Sequence, residues 1–168
     1  MARRDTVPAQ QAGEYLVAAE LARRGATCGM FAAKVRHFDI IASGPRGRYV
    51  PVQVKAKRGG SWQLDIGDFA EVTFDGDKQV IGAPKAAPID GLIYVFVDLK
   101  SYGSDEFFII DWPALQKRII DNHRAWLANH GGRRPKNPKS KHTALRANHL
   151  KDCRARWDVI NKRLGLPA

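Results

Sequence analysis

Apolar positions recur at two different periods along this chain, and the switches between them divide it into elements. From Gln10 to Gly25, Leu16, Val17 and Leu21 fall at helical spacing, with Ala18, Ala19 and Ala22 as strong helix formers. Pro8 suits the helix entry, Arg23 and Arg24 suit the negative end of its dipole, and Gly25 is the expected stop. A strand is expected around residues 27–32 and another over 38–42, followed by the turn Ser43-Gly44-Pro45-Arg46-Gly47. Residues 49–57 then alternate, with Val52 and Val54 on one face and Gln53, Lys55 and Lys57 on the other. The runs on either side of the turn predict a hairpin, and residues 62–66 a third strand of the same meander.

Residues 69–88 carry no clear period and read as loop-rich. Residues 92–97, Leu-Ile-Tyr-Val-Phe-Val, are apolar without interruption, the pattern of a central strand buried on both faces. Residues 106–111 predict a short strand, and Asp111 a cap for a helix starting near Trp112-Pro113 and carrying Leu115, Ile119 and Ile120. After His130 the segment 131–142 is basic and rich in Gly and Pro. A final helix is expected from Thr143 to Leu164, because Leu150, Cys153, Trp157, Ile160 and Leu164 form one stripe at spacings of three and four. That stripe suits either a core or a dimer seam. The order of elements predicts an α/β fold, a mixed central sheet flanked by helices. Residues 1–130 read as the core, and 131–168 as a basic loop and amphipathic helix packing on the core or on a partner.

Composition narrows the class. At 168 residues and 44% apolar, the chain suits one globular domain. No apolar run reaches the roughly 18 residues a membrane span needs. Arg3 and Arg4 are not followed by an apolar stretch of the signal-peptide kind, so a cytoplasmic location is expected. The two cysteines, Cys28 and Cys153, stand in no paired spacing and read as reduced, packed side chains. The net charge is +11, and eleven Lys/Arg against two acidic residues occupy 133–163. Such a charge attracts polyanions, of which nucleic acid is the commonest soluble one.

Candidate chemistry gathers on the hairpin. Asp39 lies on one arm; Gln53 and Lys55 lie two apart on the other, hence on one face. A carboxylate, an amide oxygen and an ammonium beside a buried strand suit a hard cation, since Mg²⁺ takes oxygen ligands and keeps several waters. The same pattern also arises on an ordinary solvated sheet face. His123 and His130 are seven apart, a rise of about 10 Å on a helix, too far for one ion.

Asp39 followed by Gln53-Val54-Lys55, with Gly13-Glu14 and Leu21…Arg24-Gly25 upstream, resembles the PD-(D/E)xK nuclease superfamily. The resemblance covers residues 10–70 and extends to the strand near 92–99. It implies a restriction-endonuclease-like core, with Asp39 as main metal ligand, Gln53 as neutral ligand, Glu14 holding a metal-bound water, and Lys55 orienting the attacking water or stabilising transition-state charge. The implied activity is Mg²⁺- or Mn²⁺-dependent hydrolysis of phosphodiester bonds in DNA. Two departures stand out: Phe38 precedes Asp39 where the family often has proline, and Gln53 replaces an acid. The second predicts weaker metal binding and a single ion.

Lys57 and Arg58, just past the motif, and Arg133, Arg134, Lys136, Lys139 and Lys141 in the basic loop suit contacts to the phosphate backbone. A homodimer would supply two sites for two strands. The alternative is a degenerate nuclease fold that binds nucleic acid without cutting it.

Overall fold

The computed structural model describes residues 7–31 and 35–167. The chain forms two compact units. The first comprises Met1–Trp62, Pro88–Trp112 and Arg146–Ala168; the second comprises Gln63–Ala87 and Pro113–Leu145.

The first unit is built on a five-stranded mixed sheet. Its strands are β1 (Thr27–Met30), β2 (Ile40–Ser43), β3 (Tyr49–Lys57), β7 (Ile93–Asp98) and β8 (Glu106–Asp111), in the order β1-β2-β3-β7-β8. Only the β3–β7 pair is parallel, with Gln53 beside Tyr94, Lys55 beside Phe96 and Lys57 beside Asp98. The expected hairpin is present: Ile40 pairs with Val52 and Ser43 with Tyr49. Ala32, expected in the first strand, lies outside the described residues.

Helices α1 (Val7–Arg23) and α3 (Asp158–Leu164) pack on one face of this sheet. Val17 and Leu21 of α1, Ile160 and Leu164 of α3, Val50, Val52 and Val54 of β3, and Ile93, Val95 and Val97 of β7 form a single buried core. Full burial of each such side chain is worth roughly 1.5–3 kcal/mol. Strand β7 is closed on its other face too, since Tyr94 and Phe96 are buried, as its uninterrupted apolar run requires. Gly13 lets α1 approach β3 closely: a Cβ there would lie 2.4 Å from the Ala56 Cβ.

Three expectations are corrected. Strand β4 (Trp62–Asp65) does not continue the meander; it pairs with β9 (His142–Leu145) in a separate two-stranded sheet. Gly59 and Gly60, both at positive φ, turn the chain away after β3, and the place beside β3 is taken by β7. The segment read as loop-rich is a hairpin of β5 (Ala70–Asp75) and β6 (Lys78–Pro84), with Gly76 at φ 58° in the turn. Ala70, Val72 and Phe74 alternate with exposed Glu71, Thr73 and Asp75, the pattern of a strand with one solvated face and the signal available in the sequence. The long final helix is instead β9, a 3₁₀ segment (Ala147–Cys153) and the short α3. The residues of its stripe are nevertheless all buried, with Trp157, Ile160 and Leu164 in the core of the sheet, so the stripe is core and not a dimer seam.

The second unit carries both two-stranded sheets, most of helix α2 (Trp112–Ala128) and the basic segment 131–141. Leu115, Ile119, Ile120 and Leu127 are the buried face of α2. Among the described residues, no helix is long and apolar enough to cross a membrane.

Candidate active site

Strand β3 outruns its neighbour. Strand β2 begins at Ile40 opposite Val52, while β3 continues to Lys57. The β3 backbone groups beyond that point need partners, because unsatisfied buried peptide groups are costly. Side chains supply them. The Asp39 Oδ2 accepts from the Val54 N–H at 2.8 Å, and the Asp39 N–H donates to the Val52 carbonyl at 2.9 Å. The Gln10 amide Nε2 donates to the Val54 carbonyl at 2.9 Å, and its Oε1 accepts from the Ala56 N–H at 3.2 Å.

This edge gathers three of the four residues expected in the site. Gln53 Nε2 donates to Asp39 Oδ2 and, at 3.3 Å, to the Val54 carbonyl. Gln10 Nε2 also donates to Glu14 Oε1 at 2.9 Å. One chain of hydrogen bonds therefore runs from Glu14 through Gln10, the Val54 carbonyl and Gln53 to Asp39. All four side chains are half-buried. Lys55 is next along β3 on the Gln53 side, about 7 Å further on by strand geometry. It is half-buried, and its ammonium makes no hydrogen bond or ion pair among the described residues. Gln10 was not singled out from the sequence; its place four residues before Glu14 on one helix face was the available signal.

No group of three or more His, Cys, Asp or Glu side chains gathers among the described residues, so an all-acid cage is absent there. What the edge offers is oxygen: two carboxylates, the Val54 carbonyl and the Gln53 amide. Each of the first three now accepts an amide N–H, the positive end of a dipole, where a cation would be attracted. A half-turn of the Gln53 carboxamide exchanges its nitrogen for its oxygen without changing its shape. These oxygens are of the type a hard divalent ion takes, and they are too few to fill its shell without waters.

Lys57 is corrected from its expected role. Its ammonium pairs with Asp98 at 2.7 Å, lies 4.5 Å from the centre of the Trp62 ring, and is 9% exposed. Trp62 is itself buried, donating from Nε1 to the Val97 carbonyl at 3.2 Å and packing edge-on against Phe96 and Phe108. Lys57 thus belongs to the sheet's packing and is not free for phosphate. Arg58, one residue on, is exposed and without a partner among the described residues. Glu20, the other acid of α1, is held by Arg23 and Arg24.

The basic segment of the second unit is pinned. Buried Gln79 donates from Nε2 to the carbonyls of Pro138 and Ser140, both at 2.9 Å, and from its backbone N–H to Gly132 at 2.8 Å. Lys139 donates to the Gly76 carbonyl at 2.6 Å and lies over the Phe74 ring. Arg134 lies over Trp126 and donates to the His142 carbonyl. Arg134 and Lys139 therefore hold the loop's shape. Arg133 stands 4.0 Å from Asp77 and is 60% exposed, while Lys136 and Lys141 are exposed with no side-chain partner among the described residues.

Gln79 is in turn held by His123, 2% exposed, whose Nε2 lies 3.1 Å from Gln79 Oε1. Because the Gln79 amide nitrogen already donates twice, its oxygen receives the histidine N–H. Burial, and then the nearby charges of Arg134 and His142, hold His123 down to about 4 from an ordinary 6.5. The unfolded chain therefore binds more protons than the folded one between these values, and stability rises with pH across that window. As pH falls from 6.5 to 4, wild type should lose about 3 kcal/mol from this residue. Urea unfolding at pH 7 and pH 4.5 should show a shallower pH dependence in His123→Gln, which can still donate to Gln79. Equal slopes in the two proteins would exclude the assignment.

The fold defines the class: a mixed α/β protein with a mixed central sheet flanked by helices. The same fold is found in a bacterial homing endonuclease, I-Ssp6803I, which matches with a TM-score of 0.53 and 12% identity over 94% of each chain. No protein-family model matches the sequence. No curated protein matches it either.

Proposed function

We propose that the protein is a divalent-metal-dependent endonuclease that hydrolyses phosphodiester bonds in DNA. The observation that carries this reading is the hydrogen-bonded edge of β3, which gathers Glu14, Asp39 and Gln53 with Lys55 next on the strand. The fold shared with a protein described as a homing endonuclease supports it, as does the net charge of +11.

Asp39, Glu14 and the Gln53 amide oxygen would hold Mg²⁺ or Mn²⁺. Such an ion, when bound, polarises a phosphoryl oxygen and makes water acidic enough to attack near neutral pH. Lys55 donates hydrogen bonds to the attacking water or to a non-bridging phosphoryl oxygen, offsetting the negative charge that grows as the P–O bond breaks. Glu14, at the far end of the chain of hydrogen bonds, orients a water by accepting from it. Arg58, Arg133, Lys136 and Lys141 take DNA phosphates, and a homodimer would supply one site per strand.

The second reading, a fold that binds nucleic acid without cutting it, is favoured by one feature. Gln53 brings no charge, and the Gln10 and Gln53 amides already satisfy both carboxylates. Incubation of plasmid DNA with Mg²⁺ or Mn²⁺ separates the two. Nicking or linearisation abolished by EDTA is the expected result. Intact plasmid under every divalent ion, together with binding that weakens steeply with salt, would establish the non-cleaving reading.

A further inference from the structure

We propose that Gln10 is a positioning residue of this site, its carboxamide serving as an extra rung on the open edge of β3 that fixes the Glu14 carboxylate. The inference rests on the reading of this edge as a metal-dependent phosphodiesterase site.

The geometry is that of a peptide group. In a β-ladder each neighbour offers one C=O and one N–H to the strand it flanks. Beyond Ile40, β2 offers neither. The Gln10 carboxamide offers both, accepting from Ala56 N–H and donating to the Val54 carbonyl. Gly13, one turn further along α1, allows this reach by removing the Cβ that would meet Ala56. The second N–H of the same nitrogen goes to Glu14, four residues on. It is the one hydrogen bond the Glu14 carboxylate makes among the described residues.

Gln10 therefore does two things that no other residue of the edge does. It closes the ladder, and it ties the only helix-borne acid of the site to the Val54 carbonyl, which Gln53 joins to Asp39. Loss of the amide leaves the Ala56 N–H without a partner, leaves the Val54 carbonyl with the longer bond from Gln53 alone, and frees Glu14 to turn to solvent. Gln10 itself touches neither substrate nor the reacting atoms in this scheme.

The test compares wild type, Gln10→Ala and Gln10→Glu as full chains. In metal-free protein, amide exchange at Ala56 followed by NMR should be at least about tenfold faster in Gln10→Ala, since each factor of ten corresponds to about 1.4 kcal/mol. Exchange in β7 should be unchanged. In cleavage assays, Gln10→Ala should raise the Mg²⁺ concentration for half-maximal rate about tenfold, without a matching loss of DNA affinity in EDTA. Gln10→Glu should behave like Gln10→Ala at pH 8, because a carboxylate can accept from Ala56 but cannot donate to Glu14 or Val54. Unchanged exchange at Ala56 would overturn the rung. Faster exchange with wild-type Mg²⁺ dependence, or full activity of Gln10→Glu at pH 8, would overturn the positioning role. A wild type that does not cleave would instead remove the underlying nuclease reading, an outcome distinct from either.

Discussion

Alanine in place of Lys55 is expected to lower the rate of metal-dependent DNA cleavage by about 10²- to 10³-fold, the usual cost of removing one preorganised donor from a developing anion. The residue is suited to that role by what it does not do. Lys57, two residues on, is neutralised by Asp98 and buried against Trp62, whereas Lys55 is half-buried with no ionic partner among the described residues. An ammonium in that situation is held on a rigid strand, flanked by β7, and keeps its donors available. Because the interaction would be made in the transition state, the loss should fall on the maximal rate more than on DNA affinity. Arginine should not restore the rate fully, since a planar guanidinium replaces a compact charge with a fork of different reach. Single-turnover cleavage with Mg²⁺ in excess is the measurement. Wild-type turnover by Lys55→Ala would remove Lys55 from the mechanism.

The second large effect is expected from Gln53→Glu. In the metal-free protein this substitution deletes the N–H groups that Gln53 gives to Asp39 and Val54 and sets a second carboxylate against Asp39. Asp39 and the Val54 carbonyl each lose one donor, keeping those from the Val54 N–H and Gln10, and like charges face each other, which should cost about 1–3 kcal/mol of stability near neutral pH. A divalent ion reverses the sign, because two carboxylates then share one cation. Mg²⁺ should raise the melting temperature of the variant far more than that of wild type, by linkage to binding. The Mg²⁺ concentration for half-maximal cleavage should fall about tenfold, equivalent to about 1.4 kcal/mol. Paired melting curves with and without Mg²⁺ test the first half, and a Mg²⁺ titration of cleavage tests the second. A variant insensitive to Mg²⁺ in both would show that no ion sits between Asp39 and position 53.

The hairpin that carries the candidate site was legible because its signals are local. Val52 and Val54 alternate with Gln53 and Lys55, a Gly-Pro turn separates the arms, and antiparallel pairing follows from the short connection. The apolar run at 92–97 likewise declared a strand closed on both faces. Outside the local β5–β6 hairpin, failures came where the deciding contact is distant in sequence. Strand β4 could have flanked the sheet by its own pattern, but parallel pairing of β7 takes the place beside β3. The stripe from Leu150 to Leu164 has helical spacing, yet the chain meets it as a 3₁₀ segment and a short helix, because any backbone that turns these side chains inward satisfies the same burial.

The candidate site divides in the same way. Residue types and spacing on the two arms of the hairpin singled out Asp39, Gln53 and Lys55, and the helix signature singled out Glu14. Neither could indicate that β3 outruns β2, and from that overhang follow the roles of Gln10, the Val54 carbonyl and the Asp39 carboxylate as edge partners. The fates of the basic residues were equally hidden, since a lysine that packs on Trp62 and one that stays free look alike in a sequence. Periodicity and residue type within one segment were enough to place α1, the β2–β3 hairpin, β7, β8 and α2, the faces they bury and the chemical types beside Val52 and Val54. Tertiary structure alone decided which strands are neighbours, which backbone groups need side-chain partners and which charges are already spent, because each depends on segments far apart in the chain.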